Sequence, residues 1–151
     1  MSLILDEEQA VREANQLFYR AFESLDLARM DDAWWHDGQV SCIHPGWPLA
    51  FGWQEVRGTW RTIFANTSAI RFSVADERVD VRDELAWLLC TERIGSSATG
   101  GPSEAAVLAT NVFRREAGVW RLVHHHGSGI AVPARAPSVD RSPPPRKGPL
   151  N

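Results

Sequence analysis

Histidines are the side chains of this sequence that are best suited to acid–base chemistry. His44 stands directly before Pro45 at the end of the short strand-like run 39–44, and residues 124–126 are three consecutive histidines that end an apolar run. An imidazole titrates close to neutral pH, so it can accept and return a proton there. The sequence therefore makes His44 the first candidate for a general base. The alternative is a structural histidine that bonds a nearby carbonyl at a strand end.

The three histidines at 124–126 cannot act as one cluster if they lie on a strand. Successive side chains of a strand point to opposite faces, so His124 and His126 share one face and His125 takes the other. A hairpin that closes at residues 117–118 would place Asn111 opposite His124. We expect Asn111 to donate to a substrate carbonyl there, with His126 or His124 as proton carrier. Alternatively, these side chains hold a strand end or a subunit contact.

A metal site is a further alternative for the same histidines. His124 and His126, joined by His44 or Glu92, would supply three ligands and leave one position open, as in catalytic zinc sites. The His-x-His spacing alone is a weak signal, so the sequence predicts no metal and no other cofactor. Glu92 ends the apolar run 85–92, and we expect it at an exposed strand end rather than inside a pocket.

The elements that must position these residues follow from the apolar periodicity. Apolar side chains at three- and four-residue steps predict three helices, over about residues 6–25, 27–36 and 53–64. A short strand at 39–44 must end in a loop, because the prolines that follow cannot donate to a ladder. Strand-like runs then cover residues 70–74, 78–81, 85–92, 105–115 and 119–126, with turns at 82–84, 95–102 and 116–118. Three helices followed by a mostly antiparallel sheet predict an α+β domain.

Composition excludes several classes of protein. The chain has 151 residues, which is typical of one domain, and its net charge of −3 comes without a basic stripe for nucleic acid. It has no apolar window long enough for a membrane span and no export signal at its start, so we expect a cytoplasmic protein. Cys42 and Cys90 lack the CxxC spacing and are expected to be buried thiols. Residues 1–132 are predicted to form the domain, and the proline-rich residues 133–151 a flexible tail.

Two longer segments carry a family resemblance. VSCIHPGWPLAFGWQEV and TNVFRREAGVWRLVHHHGSG resemble the nuclear-transport-factor-2-like superfamily, specifically its SnoaL-like and ketosteroid-isomerase-like proteins, over about residues 7–132. The second segment is also similar to the end of the association domain of calcium/calmodulin-dependent kinase. The resemblance implies a cone-shaped α+β fold, in which three helices pack on a strongly curved, mostly antiparallel sheet that encloses a pocket. It does not imply one chemistry, because this fold hosts many functions.

The resemblance can be carried over residue by residue. Ketosteroid isomerases use an aspartate base before a proline, and the matching position is His44. Their oxyanion-hole tyrosine matches Phe18, whereas Tyr19 lies about 100° further round the helix. Their protonated aspartic acid falls near Thr110 or Asn111. Two of the three groups are therefore absent, and ketosteroid isomerisation by that oxyanion hole is excluded.

These observations lead to two functional hypotheses. The first is a cofactor-free isomerase, dehydratase or cyclase that acts on a small apolar carbonyl or hydroxylated substrate. Its general base is His44, His126 and Asn111 assist, and its substrate contacts are Tyr19, Trp47, Trp60 and His124.

The second hypothesis is a non-catalytic ligand-binding or oligomerisation domain of the same fold. Under either hypothesis we expect a homodimer through the outer sheet face, where Trp87, Leu89 and Phe113 supply apolar surface. The chain offers no feature for a nucleic-acid or membrane partner.

Overall fold

Three helices and six strands make up the part of the chain that the computed structural model describes, residues 3–98 and 101–131. The predicted tail at 133–151 lies outside these residues. The helices are α1 (Leu3–Ser24), α2 (Leu27–Ala33) and α3 (Trp53–Ala65); the strands are β1 (Ser41–Ile43), β2 (Ala50–Phe51), β3 (Thr67–Arg82), β4 (Leu85–Ala98), β5 (Gly101–Glu116) and β6 (Val119–Ile130). The predicted α+β class is confirmed. No helix among the described residues is long and apolar enough to span a membrane.

The first two helices form as their sequences predict, with one difference at an end. The buried residues Val11, Phe18 and Phe22 lie on one face of α1, and the left-handed conformation of Leu25 (φ 54°) ends the helix. The Asp26 carboxylate then caps α2 by accepting from Ala28 N at 2.9 Å. α2 is shorter than predicted because Trp34 is already extended and bridges to β6.

The strands form one sheet in the order β2-β1-β6-β5-β4-β3, so β2 and β3 are its edges. All neighbouring strands are antiparallel except β1 and β6. The sequence does not predict β2, which has only two residues. The predicted strands 70–74 and 78–81 are one strand, β3, which a bulge with Asp76 at φ 56° interrupts. β4 continues through Gly95 to Ala98 and β5 begins at Gly101, so residues 95–98 and 101–102 of the predicted turn lie in strands.

A bulge in β6 decides which way the histidines point. Phe113 of β5 pairs with Leu122, but the residue before it, Val112, pairs with His124. One extra residue, Val123, therefore lies in β6 at this point. A single inserted residue moves every following side chain to the opposite face of the sheet. Asn111 therefore lies opposite His125, and the predicted pairing of Asn111 with His124 is wrong.

Aromatic side chains fill the space between the helices and the inner face of the sheet. Phe18 and Phe22 of α1 meet Trp60 of α3 edge to face, with ring centroids 5.6 and 4.8 Å apart, and Trp34 is also fully buried. The outer face is different, because Leu85, Trp87, Leu89 and Leu108 are exposed there.

The expectation that Phe113 lies on the outer face is wrong. It is fully buried, since it is two residues from Asn111 and shares the inner face of β5 with it.

Candidate active site

Four buried polar side chains from four elements meet between α1 and the sheet. They are Tyr19 of α1, Glu92 of β4, Asn111 of β5 and His125 of β6, and we refer to them as the polar chain. The strands direct these residues inward because β4 buries every second residue from Ala86 to Glu92 and the β6 bulge turns His125 to the same side. Polar groups in such a place need hydrogen-bond partners.

The polar chain is connected by hydrogen bonds from end to end. His125 Nδ1 lies 2.5 Å from Asn111 Oδ1. Asn111 Nδ2 donates to Asn15 Oδ1 at 2.8 Å and to the Tyr19 hydroxyl at 3.2 Å. The Tyr19 hydroxyl in turn donates to Glu92 Oε2 in a short hydrogen bond. The order of donation thus runs from the imidazole to the carboxylate.

Glu92 is the member of the polar chain whose charge changes near neutral pH. Burial raises the pKa of its carboxyl to about 7, although the hydrogen bond from Tyr19 opposes the rise. Burial also raises the pKa of Tyr19 far above its usual value and lowers that of His125 well below its usual value. Tyr19 and His125 therefore stay neutral while Glu92 titrates. A carboxyl with this pKa can both take and give a proton at neutrality.

His44 follows directly after β1 and is buried beside the polar chain. Its Nε2 lies 2.8 Å from Thr59 Oγ1, and the Thr59 hydroxyl donates its own proton to Val56 O at 2.6 Å. His44 Nε2 must therefore be the donor to Thr59. Burial lowers the pKa of His44 to about 4, so the imidazole is neutral. Its ring centroid is 6.2 Å from that of His125.

The structure separates the other predicted site residues. Asn111 lies in the polar chain with Tyr19, and Trp60 is buried behind them, with its ring centroid 6.1 Å from that of His125. Trp47 is 37% exposed and covers the His44 ring edge to face, at a centroid distance of 5.2 Å.

The two other histidines predicted for the site lie on the outer face of the sheet. His124 Nδ1 is 2.7 Å from Ser41 Oγ, and His126 lines an outer groove of about 410 Å³ with Leu89, Leu108 and Ser128. The predicted common face of Asn111 with His124 and His126 is therefore wrong, and the reason is the extra residue in β6.

A small cleft between α1 and β3 leads to the polar chain. Its volume is about 140 Å³, and its lining includes Asn15, Tyr19 and Phe72. Asn15 Nδ2 is buried and has no hydrogen-bond acceptor at bonding distance; the Cys90 sulfur, a weak acceptor, is close enough for Asn15 to lower the pKa of that thiol. A buried donor without a good acceptor is available to an oxygen of a small molecule.

Of the residues that sequence reasoning missed, Asn15 could have been found from the helical period, whereas Glu92 could not. The prediction that Glu92 is exposed is wrong, because it shares the inner face with Leu88 and Cys90. The unbroken apolar residues 85–90 hide the two-residue alternation that would reveal the face of Glu92. Asn15 stands four residues after Val11 and four before Tyr19, so the helical period does place it on the buried face of α1.

The described residues hold no group of three or more His, Cys, Asp or Glu side chains that could bind a metal ion. What the arrangement offers is a neutral donor, a tyrosine hydroxyl and a buried carboxyl in hydrogen-bonded sequence.

Comparison with known proteins identifies the family to which the chain belongs. The sequence model of the SnoaL-like domain matches residues 11–133. The chain belongs to the SnoaL-like domain family, and the predicted resemblance to the nuclear-transport-factor-2-like superfamily is confirmed.

Particular relatives are similar over most of the chain. A solved structure from Streptomyces avermitilis, a suggested dehydratase of the nuclear-transport-factor-2-like family, is 37% identical with a TM-score of 0.79, over 84% of this chain and 98% of that one. A suggested calcium/calmodulin-dependent protein kinase type II association domain from Thiobacillus denitrificans is 34% identical with a TM-score of 0.69, over 78% of this chain and 93% of that one.

A curated relative is longer than this chain. The F-box protein SKIP8 of Arabidopsis thaliana is 31% identical over 124 residues, which are 82% of this chain and 51% of the relative. The chain thus spans about half the length of the curated relative that it matches.

Proposed function

We propose that the chain is a cofactor-independent enzyme that moves a proton on a small carbonyl- or hydroxyl-bearing molecule, with Glu92 as its acid–base group. One observation carries the proposal: a buried carboxyl with a pKa of about 7 is hydrogen-bonded to a tyrosine that lines a cleft. Acid–base groups work best when their pKa lies near the operating pH. An isomerase, a dehydratase or a cyclase could use such a group.

The proposed step uses Tyr19 as a relay, because Tyr19 rather than Glu92 lines the cleft. A C–H bond next to the substrate carbonyl breaks, and its proton passes to Tyr19 Oη while the Tyr19 proton passes to Glu92 Oε2. The electron pair moves to the carbonyl oxygen, which Asn15 Nδ2 stabilises as a donor. Tyr19 remains neutral, in keeping with its strongly raised pKa. The proton later returns by the same path: Glu92 gives it back to Tyr19 Oη while the Tyr19 proton passes to carbon or to a leaving hydroxyl.

The proposal gives His44 a supporting part instead of the role of general base. Its Nε2 proton is engaged with Thr59, and the ring lies against Trp60 and beneath Trp47. His44 and Trp60 would then shape the wall behind the polar chain. The suggested dehydratase activity of the Streptomyces avermitilis relative favours dehydration among the three reaction types. A cytoplasmic location remains part of the proposal.

Deuterium exchange tests the proposal without knowledge of the product. The protein is incubated in D₂O with a panel of small ketones, oxo acids and hydroxy ketones, and loss of the α-proton signal is followed by NMR. We expect exchange with members of the panel, and a fall of about 10²–10⁴-fold in Glu92→Gln. Glu13→Gln is the matched control, since it removes an exposed carboxyl from α1.

Exchange by Glu92→Gln within a few-fold of the wild-type rate would refute Glu92 as the acid–base group. Absence of exchange across the whole panel in the wild-type protein would count against an enzyme.

An association domain is the second candidate function. It rests on the exposed leucines and tryptophan of the outer sheet face and on the likeness to an association domain from Thiobacillus denitrificans. In that case the polar chain would hold a small ligand or only stabilise the core. The oligomeric state, discussed below, tests this candidate.

A further inference from the structure

The hydrogen bonds of the polar chain are all donated in one order, which begins at His125 and ends at Glu92. An imidazole of neutral charge has one N–H donor and one acceptor nitrogen. At His125 the nitrogen that meets Asn111 Oδ1 is Nδ1, and a carbonyl oxygen can only accept. His125 must therefore carry its proton on Nδ1 in this arrangement. The Asn111 amide is then held with its NH₂ group toward Asn15 and Tyr19.

We infer that His125 is a positioning residue that fixes, through the Asn111 amide, the direction in which the Tyr19 hydroxyl donates toward Glu92. The inference deepens the proposed function, because it concerns the donor to the proposed acid–base group. It describes the resting protein, however, so it can be tested without a substrate.

The other tautomer of His125 would reverse the order of donation in the polar chain. With the proton on Nε2, His125 Nδ1 would be an acceptor, and Asn111 would turn its NH₂ group toward it. Asn111 Oδ1 would then face Tyr19, and the Tyr19 hydroxyl could donate to that amide oxygen instead of to Glu92. With no donor at position 125, only its bonds to Asn15 and Tyr19 hold the Asn111 amide, and it can turn if the Asn15 amide, whose Nδ2 has no good acceptor, turns with it. In both cases Glu92 loses the hydrogen bond that stabilises its ionised form.

No other group that faces Glu92 would compensate for this loss. Tyr19 of α1, Cys42 of β1 and Cys90 of β4 all keep their protons, because burial raises the pKa of each; that of Cys90 rises to about 12. Glu77 of β3 acts on Cys90 and is paired with Arg12. The two buried imidazoles beside the chain, His44 and His125, are neutral because burial lowers the pKa of each.

The tautomer of His125 is the first test, and it uses the unmodified protein. Histidine is labelled with ¹⁵N, and the imidazole nitrogen shifts are recorded at pH 8. We expect the proton of His125 on Nδ1. A proton on Nε2 would overturn the inference, since the chain would then have no fixed donor at its start.

The second test compares His125→Asn with His125→Leu. Both replacements remove the ring and have nearly the same branched shape, but only asparagine keeps an N–H near the position of Nδ1. The Glu92 carboxyl is followed by ¹³C NMR as pH is varied. We expect the titration midpoint of His125→Leu to lie about one pH unit above that of His125→Asn, a tenfold change in proton affinity.

Equal midpoints in the two variants would overturn the inference. If either variant fails to fold, the tautomer of the wild-type protein still decides. The outcome is separate from the proposed function. Different midpoints without deuterium exchange would support the positioning role of His125 and reject the enzyme. Deuterium exchange with equal midpoints would support the enzyme and reject the positioning role.

Discussion

Glu92 is the residue whose burial has the clearest consequence for stability. Its pKa is about 7 in the folded protein and 4.5 in the reference state, so between these values the folded state holds a proton that the unfolded state has released. This contribution is fully present below pH 4.5 and is lost as pH rises through 7. In Glu92→Gln it is absent. We expect the stability difference between wild type and Glu92→Gln to fall by about 3 kcal/mol from pH 4.5 to pH 8 in urea denaturation.

A difference that is the same at both pH values would show that Glu92 is not held protonated by the fold. Because both proteins contain the same histidines, imidazole titration cancels in the comparison.

His44 should give a pH dependence of the opposite sign. Its pKa is lowered from 6.5 to about 4, so below pH 6.5 the unfolded state binds a proton that the folded state refuses. Stability is lost as pH falls from 6.5 toward 4, by about 3 kcal/mol. His44→Gln keeps an N–H for Thr59 and cannot titrate. We expect it to lose less stability than wild type between pH 7.5 and 4.5, as measured by thermal unfolding. Parallel losses in the two proteins would contradict the burial of a neutral His44.

Part of the candidate site is predictable from residue types alone. Tyr19 and Asn111 are expected in the site from the sequence, and both lie in the polar chain. Glu92 and His125 are not, because their positions depend on which face of a strand turns inward. Residues 85–90, which precede Thr91 and Glu92, are all apolar, so composition cannot distinguish the two faces of that strand.

At the scale of elements, one extra residue in β6 explains why the observed site contains His125 instead of the predicted His124 and His126. Simple alternation from the turn at 117–118 gives the correct pairing as far as Leu122, which is opposite Phe113. Beyond the bulge, each of the three histidines points to the face of the sheet opposite to the one that simple alternation predicts. Nothing in LVHHHGS marks it, since Val123 is a strand-forming residue rather than a glycine. Bulges depend on the packing of the neighbouring strands, and those contacts are absent from a single strand's sequence.

Gly127, at the inner face of β6 after the bulge, tests how closely the elements approach there. A Cβ atom at this position would lie 3.0 Å from Val107 Cγ1 and 3.1 Å from Pro45 Cδ. We therefore expect Gly127→Ala to cost about 1–3 kcal/mol of stability in urea denaturation, because a packed site must expand. Gly129→Ala is the control in the same strand. It meets no atom within 4 Å, and its stability should be unchanged or slightly higher.

A Gly127→Ala variant as stable as Gly129→Ala would mean that β5 and the loop after β1 are further from β6 than described. Such a result would also count against the placement of the His125 side chain on the inner face, because His125 is two residues away in the same strand.

At the scale of the whole molecule the sequence is most informative. Helical and strand periods follow different parts of the chain, with helices before residue 66 and long strands after it. That division predicts the α+β class, and the two segments that resemble the nuclear-transport-factor-2-like superfamily predict the family. The two-residue strand β2 escapes prediction because a pair of residues carries no period.

The outer sheet face is the feature of the whole molecule that most needs a partner. Trp87 and Leu89 of β4 are exposed on the face that the helices do not cover, and so is Leu108 of β5, which pairs with Thr91 and is therefore the diagonal neighbour of Leu89. Adjacent apolar strand residues in water favour association through a second sheet face. We expect light scattering at micromolar concentration to give the mass of at least two chains.

Leu89→Glu should shift that assembly to the monomer, because dimerisation would bury an unpaired carboxylate against the apolar face. Leu17→Glu is the matched control, since Leu17 is also an exposed leucine but lies on α1. The control should keep the wild-type mass. A wild-type monomer would remove the support for an association domain and leave the outer groove beside His126 open to solvent. An assembled Leu89→Glu together with a monomeric Leu17→Glu would instead place the interface on the helices.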